Sequence, residues 1–195
     1  MEISRVRTVV LAGGSSRRMG FDKLTALFAG EPLARRVARA LLELEPLFVA
    51  TPRVADVISD LRGVRVVVTQ PTAGPSETLA LAHAALPHDA YLAVTACDLP
   101  FLDARRVRAL VARVPSDADL AWPVVTGTPG HPVIWSPKAR TRIPALRADD
   151  PPMRVRRDPA LRARPIPDAD EAYITDVDTP ERWAAAELRQ SVAER

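Results

Sequence analysis

Short apolar runs rich in β-branched residues alternate with stretches whose apolar residues recur every three or four positions, and the alternation persists from residue 8 to residue 114. It predicts strands over Thr8–Ala12, Leu47–Ala50, Val64–Val68 and Tyr91–Thr95. Between them it predicts helices over Pro32–Leu44, Ala55–Leu61, Ser76–Leu86 and Asp103–Val114. Strands separated by helix-length segments pair in parallel, joined by right-handed crossovers, so the chain reads as an α/β protein with helices on both faces of a mostly parallel sheet. After an apolar run at Leu120–Val125 the repeat loosens: Pro129–Pro132 reads as a turn, Val133–Trp135 as a short strand, and Pro137–Leu146 as a helix opened by proline. Residues 148–167, rich in Pro, Asp and Arg, read as a mobile loop carrying a short helix or extended segment. A last amphipathic helix runs from Pro180 to about Ala193, started by Asp178 or Thr179.

The first strand runs into Leu11-Ala12-Gly13-Gly14-Ser15-Ser16-Arg17-Arg18-Met19-Gly20-Phe21-Asp22-Lys23. A glycine-rich turn beyond a strand end admits positive φ and lets successive N–H groups converge on anionic oxygens, with Arg18 and Lys23 adding fixed positive charge. The glycine spacing is neither that of a Walker A loop nor that of a dinucleotide fingerprint. Of 27 basic residues only Lys23 and Lys138 are lysines, so a lysine in this loop points to a compact point charge where arginine serves elsewhere. Asp98 follows the run Tyr91–Thr95, which puts a carboxylate at a strand end beside that loop, a suitable place for Mg²⁺ bound with phosphate. Asp178 precedes Thr179-Pro180, and metal ligation and helix capping are equally open to it. Asp176 would face the other way in an extended segment, and Asp103 suits a helix cap.

Leu11–Lys23 resembles the signature of the MobA-like nucleotidyltransferases, the molybdenum cofactor guanylyltransferase family. Gly74-Pro75 opening a helix, Ala96–Leu102 and Asp176–Glu181 are similar in order and spacing, so the resemblance spans nearly the whole chain. It implies a three-layer α/β/α Rossmann-like nucleotidyltransferase fold in one domain, with a nucleotide-binding half over residues 1–115 and an acceptor half over 116–195. It also implies transfer of GMP from GTP to molybdopterin with release of pyrophosphate, with Mg²⁺ as cofactor. Lys23, Asp98 and Arg18 would then be catalytic, Leu11, Ala12, Gly13, Gly14, Lys23 and Asp98 would hold the nucleotide, and Asp98 with Asp178 would hold the metal. The chain departs from the family pattern at Thr69-Gln70, Ser76-Glu77-Thr78 and Asp178, the last being the cytidylyltransferase form. CTP with the same pterin, GTP with another acceptor such as cobinamide phosphate, and a non-catalytic nucleotide-binding module therefore remain alternatives. Gln70 is a candidate reader of the base, set against a solvated loop.

Composition narrows the partners. The 27 basic residues face 24 acidic ones interspersed along the chain, and nine aromatic residues leave little for base stacking, so the net charge of +3 suits an anionic small molecule rather than a nucleic acid. No apolar run reaches the ~18 residues of a membrane span, and the start lacks an apolar signal segment, which makes the cytoplasm the expected location. The lone Cys97 excludes a disulfide framework and reads as a packed strand-end residue. His83 reads as structural, and His131 has no partner at metal-ligand spacing.

Overall fold

A computed structural model of the chain describes residues 5–14 and 21–193. The strands are β1 (Val6–Ala12), β2 (Leu27–Phe28), β3 (Glu31–Pro32), β4 (Leu47–Ala50), β5 (Arg65–Val68), β6 (Tyr91–Ala96), β7 (Leu120–Val125), β8 (Thr128–Pro129), β9 (Val133–Trp135) and β10 (Ala163–Asp168). The helices are α1 (Leu33–Ala40), α2 (Pro52–Ile58), α3 (Pro75–Ala84), α4 (Ala104–Arg113), α5 (Pro137–Arg140) and α6 (Pro180–Ala193). An eight-stranded sheet in the order β10-β7-β9-β6-β1-β4-β5, with β8 appended to β7, forms the centre.

β1 lies parallel to both neighbours, β4 and β6, and only β8 and β9 run antiparallel within this sheet. The expected three-layer, mostly parallel mixed sheet is the architecture observed. Side chains of β1 alternate in their service: Val10 and Ala12 join the core beneath α1, α2, α4 and α6, while Val9 joins the opposite core beneath α3 and α5. Both faces of β1 are thus buried beyond the exposed Arg7, which is why Val9–Ala12 is an uninterrupted apolar run rather than an alternating one. The chain leaves β1 toward β4 and β5, then returns through β6 on the other side. That reversal makes the β1–β6 boundary the switch point, where a crevice opens beyond the strand ends.

Several elements differ from the sequence expectation. α2 spans Pro52–Ile58 rather than Ala55–Leu61, because Pro52 occupies the first turn, where its missing N–H costs nothing. The helix expected over Pro137–Leu146 stops at Arg140 and continues as a 3-10 turn at Ile143–Ala145. Two tight hairpins were not foreseen: Ala29-Gly30 between β2 and β3, and Thr126-Gly127 between β7 and β8, each pair with positive φ at both residues. Residues 148–167, expected to form a mobile loop, carry a 3-10 helix at Pro152–Arg157 and most of β10. β10 is an edge strand, and its two prolines, Pro165 and Pro167, are spaced so that their missing N–H groups fall on the same side, away from β7. Asp103 caps α4 as expected, accepting from the Arg106 N–H at 2.8 Å. No helix among the described residues is long and apolar enough to cross a membrane.

Candidate active site

The residues after β1 and after β6 emerge at the same end of the sheet. Leu11 pairs with Ala96 in register, and the Cys97 N–H donates to the Leu11 carbonyl at 3.2 Å, so Gly13-Gly14 and Asp98 leave adjacent strand ends. A second bond closes the arrangement: the Val177 N–H donates to the Asp98 carbonyl at 3.1 Å, drawing the segment before α6 against the β6 end. Asp178 thereby comes beside Asp98 despite their separation in sequence. Lys23 reaches both carboxylates, with Nζ donating to Asp98 Oδ2 at 2.6 Å and to Asp178 Oδ1. The three side chains are only 10%, 17% and 21% exposed.

Burial works against the Lys23 charge, but Asp98 and Asp178 outweigh it and hold the ammonium above its ordinary pKa. Burial pushes the Asp98 carboxyl upward despite the pull of Lys23, and neighbouring Asp178 adds to the rise. At the start of α6, Thr179 Oγ1 accepts from the Arg182 N–H at 3.3 Å, and the Asp178 carboxylate accepts from Lys23. Asp176 pairs instead with Arg182.

These groups border a cavity of about 600 Å³, within the range typical of small-molecule sites. Leu11, Ala12, Gly13 and Gly14 line one side of it, the start of α3 lines another, and Pro151–Met153 with Val133 and Trp135 complete it. Gly13 does not adopt the positive φ that its residue type permits. Its requirement is space: an added Cβ would lie 3.0 Å from Thr78 Oγ1 and 3.1 Å from Thr72 Oγ1. The Gly13 carbonyl accepts from the Thr72 N–H at 3.0 Å and from the Thr72 hydroxyl at 3.2 Å, and the two threonine hydroxyls lie 2.7 Å apart. This buried threonine pair fixes the loop's exit and was missed in the sequence, where Ser76-Glu77-Thr78 read only as a departure from a pattern.

Gly74 lets the start of α3 lie against Ala148 and Asp149. A Cβ there would sit 2.6 Å from the Ala148 carbonyl oxygen and 2.9 Å from Asp149 Cα, both backbone atoms. Ser76 Oγ donates to the Asp150 carbonyl at 2.8 Å, seating the same segment on α3 and so setting the Pro151–Met153 wall. Gly74→Ala is expected to cost about 1–3 kcal/mol, the usual range for overpacking, and to shift that wall. Urea denaturation checks the first effect, and a weakened nucleotide affinity checks the second.

Arg18 lies outside the described residues. Gln70 is exposed and does not line the cavity. His131 does line it, with Nδ1 3.5 Å from the Val94 carbonyl oxygen, and burial holds its pKa below the ordinary histidine value. Cys97 is buried and its thiol is pushed upward by burial, which leaves no nucleophile there. Among the described residues no group of three or more His, Cys, Asp or Glu is placed to hold a metal.

A glycine loop, a buried lysine and paired carboxylates around a crevice at the switch point of a mixed α/β sheet define a nucleotide-handling enzyme class. Residues 8–164 match the family described as the MobA-like NTP transferase domain. The chain belongs to this family and is a nucleotidyltransferase. A probable molybdenum cofactor guanylyltransferase of Synechococcus elongatus is 30% identical over 92% of this chain and 97% of its own. Among solved structures, the homologue of Mycobacterium tuberculosis Rv0371c from Mycobacterium sp. strain JC1 is 25% identical, with a TM-score of 0.80 over 96% of this chain and 98% of its own. A manganese complex of M. tuberculosis Rv0371c is 19% identical, with a TM-score of 0.76 over 94% of this chain and 98% of its own.

Proposed function

We propose that the protein transfers GMP from GTP to the phosphate of molybdopterin and releases pyrophosphate. The observation that carries this reading is the convergence of the Leu11–Gly14 segment at the end of β1, Lys23, Asp98 and Asp178 on one cavity of about 600 Å³ at the β1–β6 switch point. The name of the Synechococcus relative supplies the substrate pair. Residues 1–115 form the nucleotide half, and 116–195 the acceptor half.

In this reading an oxygen of the acceptor phosphate attacks the α-phosphorus, a new P–O bond forms, and the bond to the departing pyrophosphate breaks. A phosphate monoester with a second pKa of about 6 is mostly ionised at neutral pH, so the protein needs neither a nucleophile nor a general base. Its residues position the reactants and offset charge. The Leu11–Gly14 segment at the end of β1 borders the polyphosphate, and Lys23 supplies a compact cation for its oxygens. Asp98 and Asp178 are hard oxygen donors that already flank a positive group, the Lys23 ammonium, and so fit a divalent cation such as Mg²⁺. When bound, that cation neutralises charge on the phosphates.

The test is a thermal-shift titration with each of the four ribonucleoside triphosphates plus Mg²⁺, followed by pyrophosphate release with molybdopterin. GTP at 100 times its Kd stabilises by about 2.7 kcal/mol, which for a chain of this size raises the melting temperature by ~5–10 °C. A shift with CTP alone moves the assignment to a cytidylyltransferase. Tight GTP binding without pyrophosphate release overturns the transfer reaction.

A further inference from the structure

Lys23 Nζ stands between the two carboxylates read above as ligands of a divalent ion. Its Nζ lies 2.6 Å from Asp98 Oδ2 and also contacts Asp178 Oδ1, and all three side chains are largely shielded from water. A metal held by the same two carboxylates would compete with the ammonium for their negative charge, and repulsion between the two positive centres in this poorly hydrated place would be only weakly screened. Lysine suits such an exchange, since its point charge rides on a flexible four-carbon stem, whereas a guanidinium fork would lock both carboxylates.

We infer that the Lys23 ammonium is the resident counter-ion of the Asp98–Asp178 pair, so that a divalent ion enters only as Lys23 leaves and a polyphosphate draws Lys23 away. The inference rests on the reading of Asp98 and Asp178 as metal ligands given above. Its consequence is positive coupling: metal alone binds weakly, nucleotide alone must break two ion pairs, and the two together each supply what the other displaces. An empty carboxylate pair with no counter-ion would carry two neighbouring negative charges in a poorly hydrated place, which is the arrangement the lysine prevents.

The probe is Mn²⁺, followed by the electron paramagnetic resonance of the free ion, with the full chain and no nucleotide. Lys23→Met and Lys23→Gln are expected to bind Mn²⁺ at least tenfold more tightly than the unmodified protein, whereas Lys138→Met is expected to leave the affinity unchanged. Equal or weaker binding in the folded Lys23 variants overturns the inference. Adding Asp98→Asn to Lys23→Met separates the two ideas: persistent tight Mn²⁺ binding in the double variant means that the ion lies elsewhere, and it is the metal-ligand reading that fails. A second measurement needs no substitution at Lys23. With only two lysines in the chain, acetic anhydride labelling read by mass spectrometry reports Lys23 against Lys138 as internal reference. Labelling of Lys23 is expected to rise severalfold at saturating Mn²⁺, and an unchanged ratio overturns the exchange even if both Lys23 variants fail to fold.

Discussion

Asp98→Asn is expected to reduce pyrophosphate release by at least about 10³-fold while the protein stays folded, a loss comparable to removing one preorganised electrostatic group from an active site. The size of the effect follows from where the carboxylate stands. It leaves the end of β6 at the switch point, Lys23 donates to it at 2.6 Å, and the Val177 N–H bonds its backbone carbonyl rather than its side chain. Asparagine keeps the backbone bond, and with it the approach of the segment before α6, but removes the charge that would hold a divalent ion. Stability should change little, because burial already disfavours the Asp98 charge and Lys23 retains Asp178. A far-UV melt within a few degrees of the unmodified protein, together with a single-turnover assay, checks both halves of the expectation. Turnover within tenfold of normal would remove Asp98 from the reaction.

The parts that the sequence made legible are those in which the local signal and the tertiary role coincide. Val9–Ala12 of β1 and Leu92–Val94 of β6 are uninterrupted apolar runs because both faces of the sheet are covered there, and the residues beyond them inherit a position at the crevice from topology alone. Gly13, Gly14 and Asp98 could be placed for that reason. The hairpin turns escaped notice because Ala29-Gly30 and Thr126-Gly127 lack the Asn or Asp that usually announces a turn with two positive φ values. β10 was hidden by Pro165 and Pro167, which lower strand propensity everywhere except on an edge. The Thr72–Thr78 pair and the seat of Ala148 on Gly74 are long-range contacts with no sequence periodicity. The approach of Asp178 to Lys23 rests on the Val177 N–H bonding the Asp98 carbonyl, a contact with no local sequence signal. The Lys23 seat also needed the structure, since three segments distant in sequence meet only after the sheet forms.

Arg140→Met is expected to destabilise the protein by about 3 kcal/mol, the net cost of leaving several buried carbonyls without a donor. Nothing in the sequence distinguishes Arg140 from the other arginines, yet its side chain is fully buried, with no carboxylate among its hydrogen-bond partners in the described residues. It serves backbone oxygens instead: Pro87 at 2.5 Å, Ala90 at 2.7 Å, Leu86 at 3.3 Å and His83 at 3.4 Å. The reason lies in the chain just beyond α3. Helical geometry would let the His83 carbonyl accept from residue 87, but Pro87 has no N–H, so the donor must come from outside the helix. Arg140, the last residue of α5, supplies it and ties α3 to α5. Methionine matches much of the side-chain volume without any donor. Relief from burying a charge offsets part of the loss, and burial already lowers the pKa of this guanidinium. For a chain of this size the balance corresponds to a melting temperature ~6–12 °C lower. Nucleotide affinity well below the melt should be preserved, because the clamp closes the end of α3 that lies away from Gly74 and Thr78. A melting temperature within about 2 °C of the unmodified protein would mean that the cost of burying the charge equals the value of its bonds, and that the apolar contacts of Leu79, Ala82 and Leu86 suffice to hold the C-terminal end of α3 and the residues just beyond it.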